Sequence, residues 1–483
     1  MASTTVQQVE TNKGKQFVKS FGIYAIGEFG MKIITFLLMP LYTYYVEKPS
    51  DYGIYDFCLT ICFALMPIIS VRLRSGIFRF IIDNEDEEAR KGYITATTLI
   101  LATTVAMTLI IGFGVFHFFN SKFVVYTIVL LIIMSLLEVQ SQTIRAIYTS
   151  KVYILVGFLD TFFIGVLSVI FVAFMHMGVD GIFLANIISR VTTSITFEII
   201  KPVVRRYFSL AKFDFSIYGK TLLKFTLPLL PVSVLWWSIG FSNRLFIKEY
   251  IGLEVNGLYA VASRMITILH TIGIIFTQAW QENAFKHYHN PNRDSLFSSI
   301  FNNFMFFYTS CGVIFIFGVK LIFPILIGPS YQSAIQYVYL LTFSSLIASY
   351  SNFFDIAYQC AKETKRTVMA VFCIATSVIS LDFILIKPFG VSGIILALII
   401  SYFFYFFYRF YDTKKYFRIS LDKRLLIPII ILVLSAIPFY LSKSIVVNIA
   451  WLIFAILIIY IAMPQTTKRF VTDTLFAKFK RKN

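Results

Sequence analysis

Long apolar stretches alternate with short polar ones along almost the whole chain, and fourteen of them read as separate elements. In the first half they fall near residues 17 to 46, 53 to 74, 93 to 118, 123 to 144, 153 to 176 and 180 to 200. Six more follow near 220 to 248, 257 to 280, 298 to 320, 332 to 359, 367 to 386 and 390 to 411, and a last pair near 425 to 442 and 445 to 463. Each supplies roughly 20 apolar positions, and a helix of that length crosses the ~30 Å hydrocarbon core of a bilayer with its backbone hydrogen bonds satisfied internally. The pattern predicts an all-α, polytopic membrane protein with 14 transmembrane helices. They form two six-helix lobes, 17–200 and 218–412, then two C-terminal helices over 425–463 and a basic cytoplasmic tail over 464–483.

Composition agrees. With 58% hydrophobic and 14% charged residues, a water-soluble fold of this size would lack the polar surface to cover itself. The basic residues sort by loop. With the amino terminus in the cytoplasm, the segments Arg72 to Lys91, Lys201 to Lys224, Lys362 to Arg366, Arg409 to Arg424 and Lys468 to Lys482 all lie inside, while the outer loops carry single lysines at 48, 122, 248, 320, 387 and 443. The positive-inside rule therefore predicts that both termini are cytoplasmic.

This distribution also accounts for the net charge of +18 without nucleic acid, since the charge is dispersed and no binding module is visible. The tail KFKRKN is suited to anionic membrane lipids. The first sixteen residues are polar, with no short apolar run leading to a cleavage site, so no removable signal peptide is expected. Cys58, Cys62, Cys311, Cys360 and Cys373 all fall in or beside apolar spans, a placement that argues against a disulfide framework.

Nothing in the chain reads as an enzyme. There is no Walker loop, no GxSxG elbow and no HExxH, and the histidines do not form a metal-spaced set with carboxylates, so neither a cofactor nor a metal is expected. Outer loops of a few residues leave no room for a catalytic domain outside the membrane.

A weak internal repeat appears at an offset of 204 residues. Leu41, Gly53 and Tyr55 correspond to Leu245, Gly257 and Tyr259, so DYGIYDF parallels VNGLYAV. That spacing equals six helices plus a connector, which inserts both halves in the same sense, as in transporters built from parallel repeats. In the seventh span, TLPLLPVSV places Pro228 and Pro231 where a missing backbone hydrogen bond would bend the helix, and a hinge is expected there.

Three blocks carry a family resemblance. The stretch KSFGIYAIGEFGMKIITFLLMPLYTYYVEKPSDYGIYDF with RSGIFRF, the mid-chain SNRLFIKEYIGLEVNGLYAVASRM, and TQAWQENAFKHY resemble the polysaccharide-biosynthesis flippases, carriers of lipid-linked oligosaccharide repeat units of the O-antigen type. One departure is Asn243, where many such proteins carry an aspartate before the arginine, here Arg244. The resemblance implies the fold of the multidrug, oligosaccharidyl-lipid and polysaccharide exporter superfamily and a bacterial inner membrane. It implies as cargo an undecaprenyl-pyrophosphate-linked repeat unit, moved to the outer leaflet for O-antigen, lipopolysaccharide or capsule, in company with polymerase machinery.

Such a cargo needs a polar, cationic passage, and ionisable residues within spans are the candidates because a lone charge in lipid costs several kcal/mol. Substrate contacts are expected at Arg190, Arg244, Arg264, Lys32 and Glu28, the last two four residues apart and able to pair with each other. Arginine is preferred because it grips phosphate bidentately. Arg72, Arg74 and Arg79 are candidates for first capture of the headgroup, although orientation signalling explains them equally well. Asp160, Glu138, Asp355 and Asp382 are candidates for binding a coupling proton or sodium ion, with a helix-to-helix hydrogen bond the commoner fate of any one of them. Three other readings stand beside this one: export of drugs or small metabolites on the same scaffold, a membrane polysaccharide polymerase or ligase, and a pure scaffold for the polymer machinery.

Overall fold

The computed structural model of the chain describes residues 30–84, 86–211, 213–361 and 363–463. Helices run over 30–45 (α1), Pro49–Ile69 (α2), Leu73–Asp83 (α3), Glu87–Phe119 (α4), Lys122–Ile147 (α5), Ser150–Ser168 (α6) and Gly178–Ile200 (α7). They continue through Val204–Tyr207 (α8), Tyr218–Thr226 (α9), Leu230–Tyr250 (α10), Leu253–His287 (α11), Arg293–Leu326 (α12) and Ile335–Cys360 (α13). Thr364–Asp412 (α14), Leu426–Leu434 (α15), Ala436–Leu441 (α16) and Ile445–Ala462 (α17) complete the set. The chain is an all-α, multi-pass membrane protein. Eleven helices among the described residues are long and apolar enough to cross a membrane. The first expected span is described only over 30–45, and α13, rich in serine and tyrosine, is not one of the eleven.

Boundaries follow local chemistry. Pro49 opens α2, where its missing N–H would have had no partner anyway. Asp86, Ser121 and Thr149 cap α4, α5 and α6 by accepting hydrogen bonds from backbone N–H groups one turn in. Around Pro228 the helical run breaks into a 3₁₀ turn, Leu227–Leu229, between α9 and α10, at the place the proline pair predicts.

Two breaks have different origins. In α14, Gly390 takes φ 58° and ψ −137°, a conformation that side chains disfavour. A Cβ on Gly393 would stand 2.1 Å from the Leu385 carbonyl oxygen, and the Ser377 and Ser401 hydroxyls meet at 2.9 Å. The helical run therefore folds back on itself as an antiparallel hairpin, whose legs are the expected spans 367–386 and 390–411. Between α2 and α3, by contrast, Val71 and Arg72 take φ of 47° and 52° without a glycine, splitting the expected span 53–74.

Two compact units divide at Gly257 and Leu258, so α9 and α10 belong with the first, where the expected lobe boundary lay near 218. The first unit is cross-linked by polar side chains, which add directional bonds where lipid and protein are equally apolar. Tyr42 meets Ser168 at 2.8 Å, Ser194 donates to Gln140 at 2.7 Å, and Cys62 donates to the Thr127 carbonyl. In the second unit an aromatic core closes around Trp280, which stacks on Phe353 at 4.2 Å and meets Phe297 edge-on at 4.7 Å.

Candidate functional site

Within the first unit, the opening turns of α2 lie along the last turns of α10 and against residues 253–257. A Cβ at Gly53 would stand 2.0 Å from the Leu253 carbonyl oxygen and 2.9 Å from the Gly257 nitrogen. One at Gly257 would stand 2.0 Å from the Pro49 carbonyl oxygen and 3.2 Å from the Gly53 nitrogen. Residues 49 and 53 are the repeat counterparts of 253 and 257, so the repeat touches itself in a self-complementary contact, as across a two-fold axis. No residue with a side chain fits either glycine position without parting the backbones.

That approach brings a charge pair together. Arg244 Nε donates to Asp56 Oδ2 at 2.6 Å, with side-chain exposures of 17% and 7%. Little water reaches the pair, so each charge depends on the other. Around it, Phe57 faces Phe241 at 6.3 Å, Phe63 stacks on Trp237 at 5.0 Å and 7°, and the Lys248 ammonium lies over the Phe57 ring. Asn256 donates to the Gly53 carbonyl at 2.9 Å. Asp56 is the functional residue that sequence reasoning passed over. It lies inside the expected second span, within the repeat phrase DYGIYDF itself, and that carboxylate was the available signal.

Arg190 is held differently. Half-buried on α7, it donates from Nη1 to the carbonyl oxygen and to the side-chain Oδ1 of Asn186, both at 2.8 Å. Asp160 on α6 lies near enough to feel its charge but accepts instead from the Ser189 hydroxyl at 3.1 Å. Among the described residues no carboxylate comes within ion-pair distance of Arg190. A guanidinium in a helix bundle whose hydrogen-bond acceptors are all neutral has donors to spare, which a phosphate oxygen can satisfy.

At the far end of α2, Arg74 Nη1 meets Glu138 Oε1 at 2.8 Å, joining one candidate for headgroup capture with one candidate for ion coupling. Beside them sits Arg72, in its left-handed conformation, with a buried Nε that has no hydrogen-bond partner among the described residues. Arg79 is exposed, 3.6 Å from Asp83 and over the Phe225 ring. Lys32 is exposed on α1, and Glu28 lies outside the described residues, as does the basic tail.

In the second unit, Arg264 is half-buried on α11 and Asp382 is fully buried in α14. Asp355 accepts at 2.8 Å from Nη2 of Arg409, whose side chain is 1% exposed. Arg409 also donates to the Ser351 carbonyl at 3.1 Å and lies over the Tyr405 ring at 4.1 Å. Sequence reasoning grouped Arg409 with the basic loop that follows it; the structure buries it under Asp355.

Eleven long apolar helices, a repeat that touches itself and cations held inside the bundle define a polytopic all-α membrane protein. Solved structures share the fold. The chain matches a structure of the lipid II flippase MurJ in an inward closed conformation with a TM-score of 0.72 at 15% identity, covering 94% of this chain and 99% of that one. It matches inward- and outward-facing structures of a multidrug resistance MATE family transporter of the MOP superfamily with TM-scores of 0.64 and 0.60, at 15% and 17% identity. Those matches cover 80% and 82% of this chain and 95% of each of the others. The chain belongs to the polysaccharide biosynthesis protein family, whose model matches residues 17–281. Among curated proteins none gives a significant sequence match.

Proposed function

We propose that this protein is a flippase for undecaprenyl-diphosphate-linked oligosaccharide repeat units, moving them from the inner to the outer leaflet of a bacterial inner membrane for O-antigen or capsule-type polysaccharide. The observation that carries the reading is Arg190, a guanidinium inside the bundle whose hydrogen-bond partners are neutral. A diphosphate crossing ~30 Å of hydrocarbon needs such a cation, while its polyprenyl tail remains in lipid. Membership of a polysaccharide-biosynthesis family and a fold shared with a lipid II flippase support the cargo class.

In this reading the chain crosses the membrane fourteen times with both termini in the cytoplasm. Arg72 and Arg74, beside the break between α2 and α3, receive the diphosphate first, and Arg190 takes it within the bundle. The contact of α2 with α10, closed by Asp56 and Arg244, parts to release it outside, with the 3₁₀ turn at Pro228, followed by Pro231 in the first turn of α10, as the bend in the moving helix. Asp160, Glu138, Asp355 and Asp382 remain the carboxylates through which a proton or sodium gradient would couple, Glu138 through its bond to Arg74.

The purified chain in liposomes containing a fluorescent lipid-linked oligosaccharide tests this. Wild type is expected to equilibrate the lipid between leaflets, faster under an imposed proton or sodium gradient. Arg190→Gln is expected to lower the initial rate at least about tenfold, the effect of losing one charge-assisted hydrogen bond, while its melting temperature stays near wild type. Equal rates for the two proteins, or wild-type efflux of an organic cation with no lipid movement, would overturn the reading, the second outcome in favour of small-molecule export.

A further inference from the structure

A cavity of about 210 Å³ opens in the second unit between α11 and α13. Its polar wall comes from Gln278 and Gln281 on α11 and from Asn352, Asp355 and Gln359 on α13. Spacings of three, and of three and four, put each set on one helix face. Two amides are already engaged: Gln281 Nε2 donates to Gln359 Oε1 at 2.6 Å, and Gln359 Nε2 reaches Asp355 Oδ2 at 3.5 Å. The side-chain amides of Gln278 and Asn352 make no hydrogen bond with other described residues. Polar side chains crowded together within a membrane bundle are costly unless something polar meets them.

Charge narrows the ligand. The one carboxylate of the wall is neutralised from behind by buried Arg409, which fixes Oδ1 and leaves Oδ2 toward the amides. A site lined also by His270, with its one carboxylate matched by an arginine, one oriented carboxylate oxygen and unengaged amide donors and acceptors, suits a neutral polyhydroxylated ligand rather than an organic cation or a phosphate. In size the cavity equals about seven waters at ~30 Å³ each, room for one sugar ring. Its back wall is stiff, because Trp280 on α11 stacks on Phe353 of α13 and donates to the Phe353 carbonyl at 3.0 Å.

We infer that this cavity is a saccharide subsite, binding one sugar ring of the lipid-linked cargo through Gln278, Asn352 and Asp355. The inference rests on the flippase reading above and adds to it a second, uncharged recognition element remote in kind from the phosphate contacts. Selectivity for the cargo then comes from hydroxyl groups, because amide groups that lose their partner are left unsatisfied.

The test compares binding of two probes to the full chain in lipid nanodiscs: polyprenyl diphosphate carrying its oligosaccharide, and bare polyprenyl diphosphate. Wild type is expected to favour the sugar-bearing lipid by about tenfold or more, and Asn352→Ala and Gln278→Ala each to remove most of that preference, as the loss of one hydrogen bond requires. Affinity for the bare lipid should change less than twofold in both. Neither amide supports another side chain, so both variants should fold and melt as wild type does. Asp355→Asn, which strips Arg409 of its partner, serves only as a third variant. A wild type that binds neither lipid sinks the flippase reading along with the subsite. A wild type without preference for the sugar, or a preference unmoved in both amide variants, sinks the subsite alone.

Discussion

Arg190 in the first unit and Arg409 in the second are both helical arginines within a membrane bundle, yet their surroundings assign them opposite work. Arg409 is sealed, paired with a carboxylate at 2.8 Å and covered by the Tyr405 ring. Arg190 is half-buried and bonds only to the amide and carbonyl of Asn186, one turn before it. A paired, stacked guanidinium positions its neighbours. One with neutral partners keeps its charge for something that arrives from outside. The lesson is that a buried arginine is informative only once its acceptors are known.

The sharpest way to break this comparison is to remove each guanidinium in turn and measure melting in detergent. Arg409→Met removes a buried guanidinium and leaves Asp355 without its partner, and is expected to destabilise the fold by about 2–3 kcal/mol, at the low end for a buried pair because Asp355 keeps 29% exposure. Arg190→Gln abandons two hydrogen bonds to neutral groups and should stay within about 1 kcal/mol of wild type. If the two variants melt alike, the division into positioning and substrate-facing arginines fails.

How much of this was readable beforehand depended on whether partners were near in sequence. Arg190 stood out because Ser189, Thr192 and Thr193 surround it within an apolar run, and its acceptor Asn186 is four residues away. The hairpin in α14 was equally legible, since Lys387, Pro388 and Gly390 interrupt two apolar runs. Arg409 was not, because its burial is decided by Asp355, 54 residues earlier on another helix. The break at Val71 and Arg72 left no local trace either, as neither residue type favours a left-handed backbone. Gly53 and Gly257 could be aligned as repeat counterparts, but only three dimensions reveal that they touch.

That glycine contact offers a smaller but cleaner perturbation of the region in which a third arginine, Arg244, resembles both of the others. Gly53→Ala places a methyl carbon 2.0 Å from the Leu253 carbonyl, and Gly257→Ala places one 2.0 Å from the Pro49 carbonyl. Each should lower stability by about 1–3 kcal/mol, the range for overpacking a close contact. Because the contact is self-complementary the two losses should be nearly equal, and the double variant should cost less than their sum once the backbones have parted. Markedly unequal single losses in thermal melting would show that the repeat does not meet itself symmetrically.

Arg244 decides where the boundary between the two classes runs. Like Arg409 it is paired, at 2.6 Å with Asp56; like Arg190 it retains some exposure, at 17%. A double-mutant cycle with Asp56→Asn, Arg244→Gln and both together isolates the pair. Either single change strands one charge where water is scarce, whereas the double change strands none, so the double variant should recover part of the loss. A coupling of about 1–2 kcal/mol is expected. Coupling of that size, together with faster release of lipid in the single variants, places Arg244 with the positioning arginines as a latch on α2. Coupling near zero would mean that the two charges are only neighbours, and Arg244 would then join Arg190 among the arginines proposed to meet the diphosphate.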